Sequence, residues 1–347
     1  MINTYEIDPL QDVRWLPLLT RHSHSTVFHT PAWLSALKQT YGYAVSALTT
    51  SAPGEDLKNA VVFCRVQSWL TGRRVVSVPF ADHCTPLVNR AEEFECLLST
   101  LQRECEGRKR SYIEIRSVSD RRERARGFSE SGRFHLHRLD LRPSLDELFN
   151  GLHPSCIRRR LARALKERFV YEEGRSEDLL QKFYQLAILT RRRQYLPPQP
   201  LAWFRNLIRS LGEQLKLRVI SLSGKPAAAI MTIQFQRTMT YKYGFSDSRF
   251  HPLGSMQLLL WKAIEEAKTA ELSEFDMGRT DWTNEGLATF KDRWGCRRFN
   301  ITHLRYPAIT TRLERASLRT SLAKPLFAWA PDTILTVAGN LLYRHMA

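Results

Sequence analysis

The chain has 347 residues, an apolar fraction of 43% and a net charge of +17 at neutral pH. Its 17 Phe, 8 Trp and 11 Tyr are ample for packed cores and exclude global disorder, and the length exceeds what one core normally serves, so two domains and a tail are expected. The basic excess favours polyanionic company, such as RNA, phosphorylated substrates or an anionic membrane surface, without choosing among them.

Taken in order, Thr4 to Ile7 reads as a strand and Pro31 to Tyr41 as a helix carrying Trp33, Leu34 and Leu37. Three β-like runs follow, Tyr43 to Leu48, Ala60 to Val66 and Arg73 to Val78. The run Ala91 to Glu106 places Phe94, Leu97, Leu98, Leu101 and Cys105 on one helical face. Tyr112 to Arg116 and Arg133 to Leu139 read as strands.

Ser144-Leu-Asp-Glu147 is a capping box that opens the second half. A basic helix is expected from about Ser155 to Arg168, with Ile157, Leu161, Ala164 and Leu165 inward, then a short strand at Phe169 to Tyr171. Helices Glu177 to Gln194 and Leu201 to Leu211 are parted by the breaker Pro197-Pro198-Gln199-Pro200. A meander follows, turning at Ser223-Gly224-Lys225-Pro226 and returning through Thr238 to Gly244. After Gly254 a helix carries Met256, Leu259, Leu260, Ala263, Ile264 and Ala267 on one stripe. It leads into a strand at Glu274 to Gly278 and a helical turn in which Leu287, Phe290, Lys291 and Trp294 share a face. Lys291 therefore lies in an apolar stripe, with Asp292 and Arg293 pointing away. In the tail, Ile334, Val337, Ala338, Leu341 and Leu342 form a stripe preceded by Arg312, Arg315, Arg319 and Lys324. Such a basic amphipathic tail either packs on the second domain or lies on an anionic membrane.

Six scattered cysteines, Cys64, Cys84, Cys96, Cys105, Cys156 and Cys296, show no CxxC and no Cys/His pair at metal-ligand spacing. Reduced thiols in a cytosolic protein fit that pattern, and no metal is called for. The start MINTYEIDPLQD is polar and acidic, so no signal peptide is expected, and no apolar run is long enough to span a bilayer. The expected location is the cytoplasm or the inner face of the cell membrane.

Each half shows the order strand, helices, three strands, helix, strand, an order similar to the acyltransferase core of the GNAT superfamily. More specifically, Arg249 to Ala267 (RFHPLGSMQLLLWKAIEEA), FDMGRTDW and FKDRWG resemble the signature of FemAB-like and BioF2-type acyltransferases. SVPFADHCTPL, TRRRQY and YKYGFSD follow in the family's order, and the resemblance spans nearly all of residues 30 to 306. It implies an α/β fold with mixed sheets: two tandem GNAT-like domains, 1–142 (acceptor side or structural) and 143–306 (donor site), and a helical tail, 307–347.

Gly254 and Ser255 would open a helix whose free N–H groups make an anion site for donor phosphates, with Arg249 adding charge, although a plain loop and N-cap reads the same residues. The matching start at Pro86 to Arg90 has no glycine, which places the donor in the second domain. Lys291 matches the family lysine implicated in acyl transfer, where it would stabilise an oxyanion or phosphate; a snorkelling lysine is the bland alternative. Asp276 is read either as pairing with Lys291 or Arg279 or as handling the nucleophile's proton. Tyr241 and Tyr243, at i and i+2, are expected on one face beside the donor cleft, or simply in the core. Arg159, Arg163 and Lys166 share a helix face, and Arg191 to Arg193 with Tyr195 end the next helix; both groups suit phosphates or are solvated faces. Asp82 and His83 would line the first domain's cleft, while His83 and Cys84, as strand neighbours, point apart and make a poor nucleophilic pair.

The resemblance thus implies transfer of an acyl or aminoacyl group, from acyl-CoA or aminoacyl-tRNA as co-substrate, to an amine or hydroxyl of a polysaccharide or peptidoglycan precursor. No tightly bound cofactor is implied. A small-molecule or lipid-linked glycan acceptor, tRNA and a peripheral membrane contact through the tail are the expected partners. The rival reading is a non-catalytic protein that uses the same cleft to hold RNA or an anionic lipid-linked glycan.

Overall fold

Apolar alternation builds strands and 3.6-residue stripes build helices along this chain, seen in a computed structural model that describes residues 2–106, 111–118, 125–307 and 330–346. The chain divides into two units. One comprises residues 1–134, 300–319 and 341–347, the other 135–299 and 320–340.

In the first unit, β1 (Tyr5–Ile7), α1 (Trp15–Arg21), α2 (Pro31–Tyr41), β2 (Ala44–Thr49), β3 (Val61–Ser68), β4 (Gly72–Val76), α3 (Ala91–Cys105) and β5 (Ser111–Ser117) follow in order. β1 to β4 pair antiparallel in sequence, and β4 pairs parallel with β5. The parallel pair requires the crossover that α3 supplies. Its buried Phe94, Leu97, Leu98 and Leu101 pack with Val61, Phe63, Val75, Ile113 and Ile115. Sound ends hold α2: Thr30 accepts from the Trp33 N–H, Pro31 opens the first turn, and Gly42 ends it at φ +71°. Sequence reading missed α1 because Pro17 looks like a breaker, yet in a first turn its missing N–H costs nothing.

The second unit holds β6 (Ser129–Asp140), α4 (Leu145–Gly151), α5 (Arg159–Ala164), β7 (Val170–Gly174), α6 (Glu177–Arg193), α7 (Leu201–Leu211), β8 (Leu215–Leu222), β9 (Lys225–Phe235), β10 (Thr238–Ser246), α8 (Ser255–Thr269), β11 (Glu274–Asp281) and α9 (Glu285–Asp292). Its strand order is β6-β11-β10-β9-β8-β7. The β7 to β10 pairs are antiparallel, and β10 runs parallel to β11. Leu259, Leu260, Ala263, Ile264 and Ala267 of α8 pack with Ile220, Ala228, Ile230, Phe275 and Trp294. Each such leucine or isoleucine side chain contributes about 1.5–3 kcal/mol by leaving water. Ser144 caps α4 through the expected reciprocal box.

The last strand, β12 (Arg297–Tyr306), pairs antiparallel with β5 from Thr302↔Ser117 to Tyr306↔Ile113. β6 and β12 both change units within their length, so the division falls at 134/135 and 299/300, where the sequence places it at 142/143 and 306/307.

Three expectations need correction. The basic helix begins as a π-turn at Pro154–Arg158, and α5 stops at Ala164. Ile157, Leu161 and Ala164 are buried as expected, but Leu165, the C-cap beyond the end of α5, is 66% exposed rather than inward. Leu287, in the first turn of α9, is 39% exposed, while Ala288, Lys291 and Trp294 are buried. In the tail helix, Asp332–Leu342, the face that packs is Leu335 and Gly339; the expected stripe Ile334, Val337 and Leu341 faces out. Arg312, Arg315, Arg319 and Lys324 lie outside the described residues. Among the described residues no helix is long and apolar enough to cross a membrane.

Candidate active site

The register between β10 and β11 runs only from Thr238↔Glu274 to Thr240↔Asp276, although the strands continue to Ser246 and Asp281. Local irregularities part them. On β10, Tyr241 pairs with Thr232 and Tyr243 with Met231, so Lys242 is an inserted bulge residue. The bulge also corrects the tyrosine expectation. Because Thr232 and Met231 lie on opposite faces of β9, Tyr241 and Tyr243 lie on opposite faces too. Tyr241 packs on the α8 side, its phenol pushed up by burial. A Cβ at position 244 would stand 1.8 Å from its Oη, which is why that residue is glycine. Tyr243 instead accepts a 2.9 Å hydrogen bond from Trp203 Nε1 and meets Phe204 edge-on.

On β11 the kink is built around Gly278 and held by two residues that the sequence singles out, Asp276 and Lys291. Gly278 has φ +73°, which glycine adopts without strain. Its N–H donates to Asp276 Oδ1 at 2.7 Å. Consecutive carbonyls of a regular strand point to opposite edges, but this turn lets one ammonium reach two. Lys291 Nζ donates to Gly278 O at 2.9 Å and Arg279 O at 3.0 Å. At 3% exposure, Lys291 is neither a solvated nor a snorkelling lysine; it ties α9 to the kink. Asp276 is buried beside it, and Arg279 contributes its carbonyl.

Sequence reading missed the histidines of β6. His137 is fully buried; its Nδ1 lies 3.5 Å from Thr280 Oγ1 and its Nε2 3.5 Å from Asp292 Oδ1. Burial, then the Lys291 ammonium, pushes this imidazole down to about 4, with the Asp292 carboxylate opposing. Asp292 is half-buried and is itself held low by Arg298, whose Nε donates to it at 2.9 Å. His135 stacks on Trp282 with ring centroids 4.3 Å apart. The alternation His135-Leu136-His137 was a readable signal, since polar residues at i and i+2 of a strand share one face.

A second group gathers where β10 runs into α8. Thr190 Oγ1 accepts the Ser246 N–H at 2.9 Å, Arg193 donates to Ser246 O at 3.2 Å, and Ser246 Oγ lies 2.8 Å from His251 Nε2. Arg160 donates to His251 O at 2.9 Å. Burial pushes His251 down, and the nearby Arg193 and Arg160 add to this. Arg249 is exposed and paired with Asp247 at 2.5 Å. Gly254 sits at φ +77°, and a Cβ there would lie 2.2 Å from Arg160 O. The glycine thus lets α5 close on the start of α8. Ser255 is buried, its Oγ donating to Phe250 O at 3.4 Å.

The remaining candidates scatter. Arg159 and Arg163 are exposed, Arg163 paired with Glu167 at 2.7 Å. Tyr195 is exposed at φ +59°. Asp82 is half-buried in the first unit. There Cys84 Sγ lies 3.3 Å from His29 Nε2. Burial pushes that thiol up and His29 down to about 3, giving a neutral, dry pair.

A family model described as an acetyltransferase (GNAT) domain matches residues 156–292, a segment that contains the Gly278 kink, Lys291 and the β10–α8 group but not His135, His137 or Arg298. Comparison with curated protein sequences gave no match. Solved structures are similar in fold. The crystal structure of FemX superposes with a TM-score of 0.67 at 14% identity, covering 92% of this chain and 100% of FemX. A tandem GNAT protein from the clavulanic acid biosynthesis pathway, in its form without AcCoA, gives 0.56 at 11% identity over 87% and 97%. The C-terminal domain of a putative lysylphosphatidylglycerol synthetase from Agrobacterium fabrum gives 0.56 at 12% over 90% and 96%.

Proposed function

Given that residues 156–292 form a GNAT acyltransferase domain on a FemX-like fold, we propose that the protein transfers an acyl or aminoacyl group to an amine or hydroxyl of a cell-envelope precursor. The observation that carries this reading is the parting of β10 and β11 after Thr240 and Asp276, inside the matched segment. A donor carbonyl enters the parting, and backbone groups of β10 that no longer face β11 are placed to meet its oxygen. The acceptor nitrogen or oxygen attacks the carbonyl carbon, the bond to the donor's sulfur or ribose oxygen breaks, and the nucleophile's proton leaves with that group. Lys291 holds the β11 side of the opening in shape and adds positive potential where the oxyanion develops.

The donor's phosphates would lie at the β10–α8 junction, against Arg160, Arg193 and Arg249 and the first turn of α8. Both acyl-CoA and aminoacyl-tRNA present phosphate there. The lysylphosphatidylglycerol synthetase neighbour supports the aminoacyl donor, and the tandem GNAT neighbour supports the CoA thioester.

The test incubates purified protein with acetyl-CoA or a charged tRNA pool and a panel of amine acceptors. Thiol release or tRNA deacylation that depends on acceptor supports transfer and names the donor. Tight donor binding without turnover across the panel would leave a binding protein instead.

A further inference from the structure

At the tip of the β3–β4 hairpin, Trp69 is 84% and Leu70 54% exposed. Side chains of that size stand in water only at a cost, and a two-residue tip of this kind is uncommon on a surface that has no use for it. The tip is also held in place. The C-terminal turn Tyr343–His345 packs beneath it: His345 Nδ1 lies 2.9 Å from Ser68 Oγ, Thr71 Oγ1 donates to His345 O at 3.1 Å, and Arg74 Nη2 donates to the same carbonyl at 2.8 Å. The His345 ring meets the Trp69 indole edge-on at 5.6 Å. Tyr43 Oη donates to Arg344 O at 3.1 Å and anchors the turn from the other side. The same C-terminal element exposes Leu341 and Met346.

Within the hairpin tip and the C-terminal turn the charge has one sign, and the acids nearest along the hairpin, Glu6 and Glu104, are paired with Arg65. From Val66 to Val76 and from Leu341 to Met346 the sequence contains no Asp or Glu, whereas Arg73 and Arg344 are exposed. We propose that this hairpin tip and C-terminal turn form a membrane-docking surface, with Trp69 and Leu70 entering the headgroup region of an anionic bilayer and Arg73 and Arg344 meeting its lipid phosphates. Indole rings favour that interfacial zone, and basic side chains beside an apolar insertion add attraction to anionic lipid. A projecting tip also suits a bilayer better than a protein partner, because it offers little area for a stable dimer.

Sedimentation with vesicles of phosphatidylglycerol and phosphatidylcholine, against pure phosphatidylcholine, tests this with the intact chain. Binding is expected to the anionic vesicles, weakening as salt rises, and to fall about tenfold or more in the Trp69→Ala/Leu70→Ala variant. Arg73→Gln/Arg344→Gln should remove most of the preference for anionic lipid while keeping the tip. Blue-shifted tryptophan emission on vesicle addition, lost in Trp69→Phe, locates the contact without relying on a destabilising change. Equal binding of parent and tip variants overturns the proposal. So does a parent dimer, measured by sedimentation velocity, that Trp69→Ala dissociates.

Discussion

Both units contain a parallel strand pair crossed by a helix, and they differ in what happens where that pair ends. In the first unit, β4 and β5 pair from Arg73↔Ser111 to Val76↔Glu114. The ladder is then prolonged: Ser77 N donates to Glu114 O at 2.8 Å, Arg116 N to Ser77 Oγ at 3.0 Å, and Cys84 N to Arg116 O at 2.8 Å. Buried His29, Cys84 and Thr85 fill the space. In the second unit the bulge at Lys242 and the kink at Gly278 stop the ladder after three pairs. One topology therefore yields a prolonged ladder or one cut short, and the difference lies in a few residues that engage backbone groups or break their pairing.

The largest expected effect tests which unit works. Lys291→Met keeps the stem and removes the ammonium; turnover should fall about 10²–10³-fold, as for loss of an oxyanion donor. Stability should drop by only about 1–3 kcal/mol from the two carbonyls left unserved. Cys84→Ala, in the first unit, should leave turnover within about twofold of the parent, because dry packing does not reach the chemistry. Steady-state rates and denaturant midpoints on both variants decide it, and the reverse ranking would break the comparison. Next is Gly254→Ala. Its Cβ meets backbone at Arg160, and its φ is left-handed, so urea unfolding should show a loss of at least about 2 kcal/mol.

Acid sharpens the comparison further, since each unit contains a fully buried histidine that burial pushes down. His29 and His137 titrate at about 3 and about 4 in the folded chain, and near 6.5 when unfolded. Between those values the unfolded chain binds protons that the folded one refuses. Stability is therefore full above about pH 6.5 and is lost as pH falls toward 4, by at most about 1.4 kcal/mol per pH unit for each histidine. Urea midpoints at stepped pH should show that slope, and His137→Gln should remove the second unit's share. The smallest effect is at α3, where Arg90 sits at the N-cap in extended conformation without a side-chain cap. Arg90→Ser should add about 0.5–1 kcal/mol, read by thermal melting.

Much of this was legible before any coordinates. The parallel pair follows from a helix set between two strands, and the lysine in an apolar stripe marked Lys291 because buried ammonium groups need partners. Its partners were not legible: they are main-chain carbonyls brought together by the left-handed Gly278, and side-chain patterns do not report carbonyl direction. The separation of Tyr241 and Tyr243 was hidden for a related reason, as a one-residue bulge leaves the letters at i and i+2 unchanged. His137 escaped notice because its significance depends on Thr280 and Asp292, which are distant in sequence. Asp276 was marked as an ion-pair or proton-handling candidate, and the structure adds a local task that the letters do not report, holding the Gly278 N–H.

The contact between Gly254 and the Arg160 carbonyl has a mechanical consequence. With less than a methyl group's clearance between them, the start of α8 cannot advance toward α5, and α5 cannot settle without pushing α8. An anion that draws the Arg160 side chain outward therefore also draws on the His251 carbonyl it holds, one turn ahead of that same helix start.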